Sequence, residues 1–186
     1  MEKGLPSCLM IALSLTNLSK RFVAGAGPCH AAVLAVSNAY LDLATHELLG
    51  ITGPSGSGKS TLLLCAAGLL DPDQGSVRWF DHQAQGRGRV IYLGPSTQVS
   101  RALQFMTPFG PPKLLLLDDP LRGIDGPSLG RIDAALRRLA NAGGSAVITA
   151  REPDALRPLC SRVISMRGGK LIHEAARIAR VAEPSL

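Results

Sequence analysis

A short segment rich in glycine and serine, GPSGSGKST at residues 53–61, contains the residue types best suited to chemistry in this sequence. It matches the pattern GxxxxGK[ST] in full, and it lies between the apolar run ELLGIT and the run KSTLLLCAAGLL, which is typical of a buried helix. Glycines let backbone N–H groups turn inward around a phosphate, and the helix that follows presents its positive N-terminus to the same anion. The pattern therefore predicts a phosphate-binding loop made of Gly53, Pro54, Ser55, Gly56, Ser57, Gly58, Lys59, Ser60 and Thr61.

Two side chains of this loop and two acids further along the chain predict a site for a nucleotide and its magnesium ion. Lys59 is placed to reach the β- and γ-phosphates, and the Ser60 hydroxyl is placed to bind Mg²⁺. The run LLLLDD provides Asp118, an acid at the end of a buried strand that would hold the water shell of the metal ion. Asp119 could orient an attacking water, and a helix cap or loop cap is the alternative reading of this residue.

Strands and helices alternate along the chain, and this order decides how the site is assembled. The predicted strands are residues 12–18, 33–43, 47–52, 76–80, 90–93, 113–119 and 144–149, with a closing hairpin at 162–166 and 171–174. We predict helices at 59–70, 128–143 and 152–159, and a loop at 23–32. The helix at 128–143 is predicted to have one apolar face, which consists of Leu129, Ile132, Leu136 and Leu139. Gly143 is predicted to end this helix. The alternation predicts one α/β domain over residues 1–186 with a mostly parallel sheet and flanking helices.

Composition limits the classes of function that fit. The 186 residues are 46% hydrophobic and 18% charged, which is typical of a globular domain. The net charge of +6 is scattered and aromatic residues make up only 4%, so that no nucleic-acid partner is expected. The four cysteines are far apart, which favours neither a metal site nor a disulfide. No apolar run approaches the roughly 20 residues that span a bilayer, although residues 5–15 resemble a short signal region, and we expect a cytoplasmic protein.

Taken together, these motifs resemble those of the ATP-binding cassette (ABC) ATPases. The resemblance covers roughly residues 12–174 and includes GITGPSGSGKSTLLLCAAGLLDPDQGSVRW, PKLLLLDDPLRGID and the closing SRVISMRGGKLIHE. It implies a P-loop NTPase core with an N-terminal antiparallel β portion, and ATP and Mg²⁺ as ligands. By resemblance, Asp118 is the Walker B acid, Asp125 is the acid of the D-loop, and Phe22 stacks on adenine, with core packing as the alternative for Phe22.

The sequence departs from the family pattern after residue 93. By resemblance, Gln98 is the Q-loop residue near Mg²⁺ and water, although GPSTQ at 94–98 also stands where the LSGGQ signature would stand. We interpret this as the loss of the helical subdomain, signature included, with the junction near residues 94–100. Asp119 replaces the catalytic Glu, and Ala150 replaces the switch His. Arg151 follows Ala150, and strand alternation predicts that its side chain points away from the site.

Three functions remain open from the sequence. The first is the ATP-binding subunit of an ABC transporter, at the inner face of the membrane with transmembrane subunits and a second cassette, whose ATP hydrolysis is weak or impaired. The second is a non-enzymatic nucleotide-binding or regulatory remnant without a transport role. The third is a DNA-repair or chromosome-maintenance ATPase with an ABC-like head, although that class inserts long coiled coils and no sustained heptads are visible here.

Overall fold

The computed structural model describes residues 10–24, 31–80, 90–95 and 113–172 of the chain. Two α-helices lie within these ranges, α1 (Lys59–Ala66) and α2 (Gly126–Asn141), together with a 3₁₀ turn at Pro153–Ala155. The strands in chain order are β1 (Ile11–Ala24), β2 (Ala31–Ala44), β3 (Leu48–Thr52), β4 (Gln74–Trp79), β5 (Val90–Leu93), β6 (Leu114–Leu117), β7 (Ser145–Ala150), β8 (Arg162–Arg167) and β9 (Lys170–Ile172).

The larger sheet has six strands in the order β5-β6-β7-β3-β8-β9. The first five are parallel, and β9 returns antiparallel beside β8 as the predicted hairpin. The central strands β3, β6 and β7 are buried along their whole length, which is why their sequences are continuous apolar runs rather than alternating ones. The prediction of an α/β fold with a mostly parallel sheet is confirmed.

A second, antiparallel sheet of three strands has the order β2-β1-β4. This is the antiparallel portion that the resemblance implied. The loop predicted at residues 23–32 is shorter than expected, because Val23 pairs with Ala32 and Ala24 pairs with Ala31 across the two long strands. The small residues at these four positions suggested a loop, but pairing between the two strands makes them part of the sheet.

The core is divided into two apolar clusters by the larger sheet. Leu114 and Leu116 of β6 belong to the cluster that contains α1 and the antiparallel sheet. Leu115 and Leu117 belong to the cluster that contains α2. Successive side chains of a strand point to opposite faces, so this one apolar run contributes to both layers and fixes β6 in the centre.

The helices differ from the predictions at their ends. Helix α1 ends at Ala66 rather than at residue 70, because Gly68 adopts a left-handed φ of 68° and the chain turns there. In α2 the buried residues are Ile132, Leu136 and Leu139, whereas Leu129 is 36% exposed, so the predicted apolar face was wrong at Leu129. Leu129 lies in the first turn, before the part of the helix that packs on the sheet.

The third predicted helix, at residues 152–159, is reduced to the 3₁₀ helix Pro153–Ala155, which is followed by turn residues up to Leu159. No helix in the described ranges is both long and apolar enough to cross a membrane.

Two leucines of α2 provide a test of this packing. Leu136→Ala should lower the free energy of unfolding by about 2–5 kcal/mol, since it removes a fully buried side chain. Leu129→Ala, the matched control on the same helix, should lower it by less than about 1 kcal/mol. Urea denaturation of both variants measures the difference, and equal losses would contradict the packing of α2 described above.

Candidate functional site

The candidate site lies where three parallel strands end at the same edge of the larger sheet. Strand β3 leads into the glycine-rich loop, β6 leads into Asp118, and β7 leads into Arg151. The order β6-β7-β3 places the end of β7 between the other two ends. In open α/β sheets this carboxyl edge is where ligands bind.

The loop conformation requires glycine at two positions that touch the neighbouring strands. Gly58 has a φ of 103°, and a Cβ atom there would collide with the Ala35 carbonyl of β2. Gly53 has a φ of 152°, and its Cβ would collide with the Met166 carbonyl of β8. The loop is therefore held between the two sheets, as a backbone that approaches a ligand closely needs to be.

The Lys59 ammonium lies inside the loop. Its Nζ donates hydrogen bonds to the carbonyl oxygens of Gly53 at 2.6 Å and Pro54 at 2.9 Å, and to Ser57 Oγ at 3.2 Å. Burial lowers the pKa of Lys59, the nearby carboxylates of Asp118 and Asp119 act in the opposite direction, and the Arg151 charge lowers it further. The ammonium is thus oriented by neutral carbonyls, and an anion would stabilise its charged form.

Helix α1 begins at Lys59 without a side-chain cap. Gly58 occupies the N-cap position, and the first turn contains no acidic residue. The positive end of the helix is therefore not neutralised by its own sequence, which suits the binding of an anion at the loop.

The Asp118 carboxylate is buried and is fixed by two hydroxyl groups. Thr149 Oγ1 donates to Oδ1 at 2.9 Å, and the Tyr92 hydroxyl donates to Oδ2 at 3.3 Å. Burial, together with the Asp118 charge, raises the pKa of Tyr92 to about 12, so that its hydroxyl keeps its proton near neutral pH. Both partners are neutral hydrogen-bond donors to the Asp118 carboxylate.

Asp119 is held in a left-handed backbone conformation with a φ of 49°. Its N–H donates to Thr149 Oγ1 at 2.9 Å, so one threonine side chain positions both acids. The nearest helix cap belongs to a different residue, since Asp125 accepts a hydrogen bond from the Ser128 N–H at 2.9 Å at the start of α2. The Asp119 side chain instead lines the cavity over the loop.

A cavity of about 460 Å³ brings most of the predicted residues together. Its size is within the usual range of small-molecule sites. Phe22 lines it and is 43% exposed, with the Lys20 ammonium 5.9 Å from its ring centroid, so it is not part of the core. The predicted residues that line the cavity are Phe22, Ser55, Gly56, Ser57, Gly58, Lys59, Ser60, Thr61, Asp118 and Asp119. Gly53 and Pro54 line an adjacent cavity of about 510 Å³, and Gln98 lies outside the described residues.

The cavity offers oxygen atoms that could act as ligands of a magnesium ion. The described residues contain no group of three or more His, Cys, Asp or Glu that could hold a metal ion alone. Ser60 and Asp118 nevertheless both line the cavity and offer hard oxygen ligands. Mg²⁺ usually binds one or two protein oxygens together with waters and substrate phosphates, and these residues fit that pattern.

Sequence reasoning missed three residues of the site and was wrong about a fourth. Tyr92 and Thr149 were read only as strand residues, although a hydroxyl inside an apolar strand is a recognisable signal. Arg122 also lines the cavity and was not singled out. Arg151 was expected to point away, but it lines the cavity too. Strand alternation did not apply to it, because β7 ends at Ala150 and Arg151 begins the bend that follows.

The hydroxyl of Thr149 provides a test of how the two acids are held. Thr149→Val keeps the shape of the side chain but leaves the Asp119 N–H and the Asp118 carboxylate without this partner. The free energy of unfolding should fall by about 1–3 kcal/mol. Thr16→Val, an exposed threonine of β1, is the matched control and should change it by less than about 0.5 kcal/mol. A Thr149 variant as stable as the control would contradict the role of this hydroxyl.

The chain is similar in sequence to known proteins over part of its length. The family model described as ABC transporter matches residues 36–109. The taurine import ATP-binding protein of Ruegeria pomeroyi is 39% identical over 89 residues, which are 46% of this chain and 32% of that protein. A protein of Streptomyces coelicolor, described as an ABC transporter ATP-binding protein, is 26% identical over 211 residues, with 82% of this chain and 37% of that protein covered. The chain thus matches about a third of the length of these relatives.

A solved structure provides the comparison of folds. The ATP-binding cassette MJ0796, in a dimeric post-hydrolysis state bound to ADP and phosphate, superposes with a TM-score of 0.66 at 20% identity. The match covers 88% of this chain and 97% of that chain. At this level of identity the likeness shows the fold, which is that of an ABC cassette. In matched sequence and in fold, the chain is similar to the ATP-binding cassettes of ABC transporters.

Proposed function

We propose that this chain is the ATP-binding subunit of an ABC transporter and binds MgATP in the cavity over the glycine-rich loop. The observation that supports this most is the convergence of Lys59, Ser60 and Asp118 on one cavity at the carboxyl edge of the sheet. Residues far apart in sequence meet there with the charges and oxygen ligands that a nucleoside triphosphate and its metal ion need.

Each residue has a separate proposed task. When the nucleotide binds, the Lys59 ammonium gives up its hydrogen bonds to the loop carbonyls and contacts the β- and γ-phosphates. The N–H groups of the loop and of the first turn of α1 surround the β-phosphate. Ser60 and Asp118 would hold Mg²⁺, with Gln98 as a further proposed ligand. Bound Mg²⁺ would neutralise part of the phosphate charge. The exposed ring of Phe22 offers a face on which adenine can stack.

The proposed domain organisation is a single nucleotide-binding domain over residues 1–186 without the helical subdomain. Strand β5 ends at Leu93 and its neighbour β6 begins at Leu114, so residues 94–113 join two adjacent parallel strands. The alignment with the Streptomyces coelicolor relative extends over 211 residues, more than the 186 of this chain, and therefore contains gaps on the side of this chain. The connection between β5 and β6 supports a deletion near residues 94–100, and the alignment gaps fit a shortened chain.

Weak hydrolysis is the expected consequence. Ala150, where the family has a histidine, is apolar and 3% exposed, so it cannot donate a hydrogen bond to the terminal phosphate. Asp119 is one methylene shorter than the glutamate it replaces, which places its carboxylate further from an attacking water. Phosphoryl transfer depends on positioning and on charge stabilisation, so losing these groups together should slow it greatly. Binding without turnover, as in a regulatory protein, is the second candidate, and Ala150 favours it.

The proposed partners follow from the relatives. MJ0796 forms a dimer in its solved structure, and the taurine import protein is an ATP-binding protein of an importer. We propose that this chain pairs with a second cassette, which would supply the closing loop over the terminal phosphate, and that the pair acts with transmembrane subunits at the inner face of the membrane.

The binding site is tested first by a lysine pair. Lys59→Ala should weaken MgATP binding at least about 100-fold, since it removes a charge-assisted contact to two phosphates. Lys170→Ala, an exposed lysine of β9, should leave the dissociation constant within about twofold. Isothermal titration calorimetry measures both, and unchanged affinity in the Lys59 variant would contradict the proposed site.

Turnover is tested separately with the purified chain. The rate of phosphate release by the wild type should be no more than about tenfold above the background rate of the Lys59→Ala variant. The reason is that the loss of a single stabilising donor can already lower the rate by about 10²–10³. Asp119→Glu should not restore release, since Ala150 is still present. Steady release well above this background, dependent on Lys59, would show a working ATPase and contradict the impairment.

A further inference from the structure

Arg151 occupies a central place at the carboxyl edge of the sheet. It follows the last residue of β7, and β7 lies between β6, which leads into Asp118, and β3, which leads into the glycine-rich loop. Its exposed side chain lines the cavity together with Lys59 and Asp119. Arg151 therefore borders the space that the phosphate loop and the pair of acids also line.

The charges around this space favour an anion. Three cations and two carboxylates line the described part of the cavity: Lys59, Arg122, Arg151, Asp118 and Asp119. Among the described residues, no carboxylate forms an ion pair with Arg151, whereas Arg162 and Arg137 are paired with acids. Arg151 adds a second positive charge beside the buried Lys59, and an anion between the two would interact favourably with both.

Arg151 and Lys59 also affect each other. The Arg151 charge is one of the causes that lower the pKa of Lys59, so the two cations are close enough to repel. A phosphate chain that extends from the loop toward the acids would lie between them and replace this repulsion with two attractions. A guanidinium is always charged and can donate two parallel hydrogen bonds to phosphate oxygens.

We propose that Arg151 binds the terminal phosphate of a nucleoside triphosphate and so makes the site selective for triphosphate over diphosphate. This inference rests on the proposed function, since it requires that the loop binds a nucleotide. Ala150, buried and apolar, cannot contact the phosphate, and the next side chain along the chain takes this task. Arg151 is a specificity residue in this proposal, with no assigned part in activating water.

The alternative position for the guanidinium is the adjacent cavity of about 510 Å³, which Arg151 also lines together with Arg157 and Arg167. Arg157 lines only that cavity and forms an exposed ion pair with Asp154 at 3.4 Å. Arg157→Ala is therefore a matched control that removes an arginine near the site without touching the cavity over the loop.

The test is calorimetric titration with the Mg²⁺ complexes of a non-hydrolysable ATP analogue and of ADP. Arg151→Ala should weaken binding of the analogue at least about tenfold and that of ADP less than about twofold, as expected for one charge-assisted contact. Arg151→Lys should lie between, because it keeps the charge and loses the bidentate geometry. Arg157→Ala should change neither constant by more than about twofold.

Several results would overturn the inference. Equal changes for the analogue and ADP in Arg151→Ala would show that Arg151 does not contact the terminal phosphate. Unchanged binding of both, or equal losses in the Arg157 and Arg151 variants, would place the guanidinium in the adjacent cavity. Should the wild type bind neither nucleotide, the proposed function fails and the inference fails with it. Arg151 is exposed, and circular dichroism of both Arg151 variants should match the wild type; a variant that does not fold would contradict this placement.

Discussion

The Lys59 ammonium is the charge around which this structure is organised. It is buried and donates hydrogen bonds to the carbonyls of Gly53 and Pro54. Those carbonyls are held in place because β3 ends in a loop that is packed between the two sheets. A buried ammonium is stable only with hydrogen-bond acceptors around it, and its burial lowers its pKa. The acids at the end of β6 offset that cost, so that the loop and the acids depend on each other.

This dependence is maintained by the parallel strands rather than by the connections between them. β6 and β7 pair residue by residue, and β7 pairs with β3 in the same way, so the distance between Asp118 and the loop is set by two rows of backbone hydrogen bonds. Thr149 of β7 adds the side-chain link to both acids. A deletion between β5 and β6 would alter what covers the site without moving the groups that line it.

The parts of the fold that the sequence predicted well are those where one pattern has one physical solution. Continuous apolar runs such as LLLL and SAVITA have to be central strands, and the glycine-rich motif has to join a strand to a helix. The misses have local causes: α1 ended early at a left-handed Gly68, and Leu129 lay in a first turn outside the packed stripe. Neither cause is visible in the periodicity.

The same limits apply to the site. Lys59, Ser60 and Asp118 could be found because their spacing is tied to phosphate chemistry, whereas Tyr92 and Thr149 act only through contacts across strands. Arg151 was misjudged because its direction depends on whether β7 ends before or after it, and that end is set by tertiary contacts. Element ends are the weakest point of any pattern-based prediction.

The most direct measurement of the central claim is a crystal structure of the chain with Mg²⁺ and a non-hydrolysable ATP analogue. The account predicts that the Lys59 Nζ leaves the carbonyls of Gly53 and Pro54 and contacts the β- and γ-phosphates, with Asp118 on the metal side. A nucleotide bound elsewhere, or one bound at the loop while Lys59 keeps its hydrogen bonds to the loop carbonyls, would contradict the account.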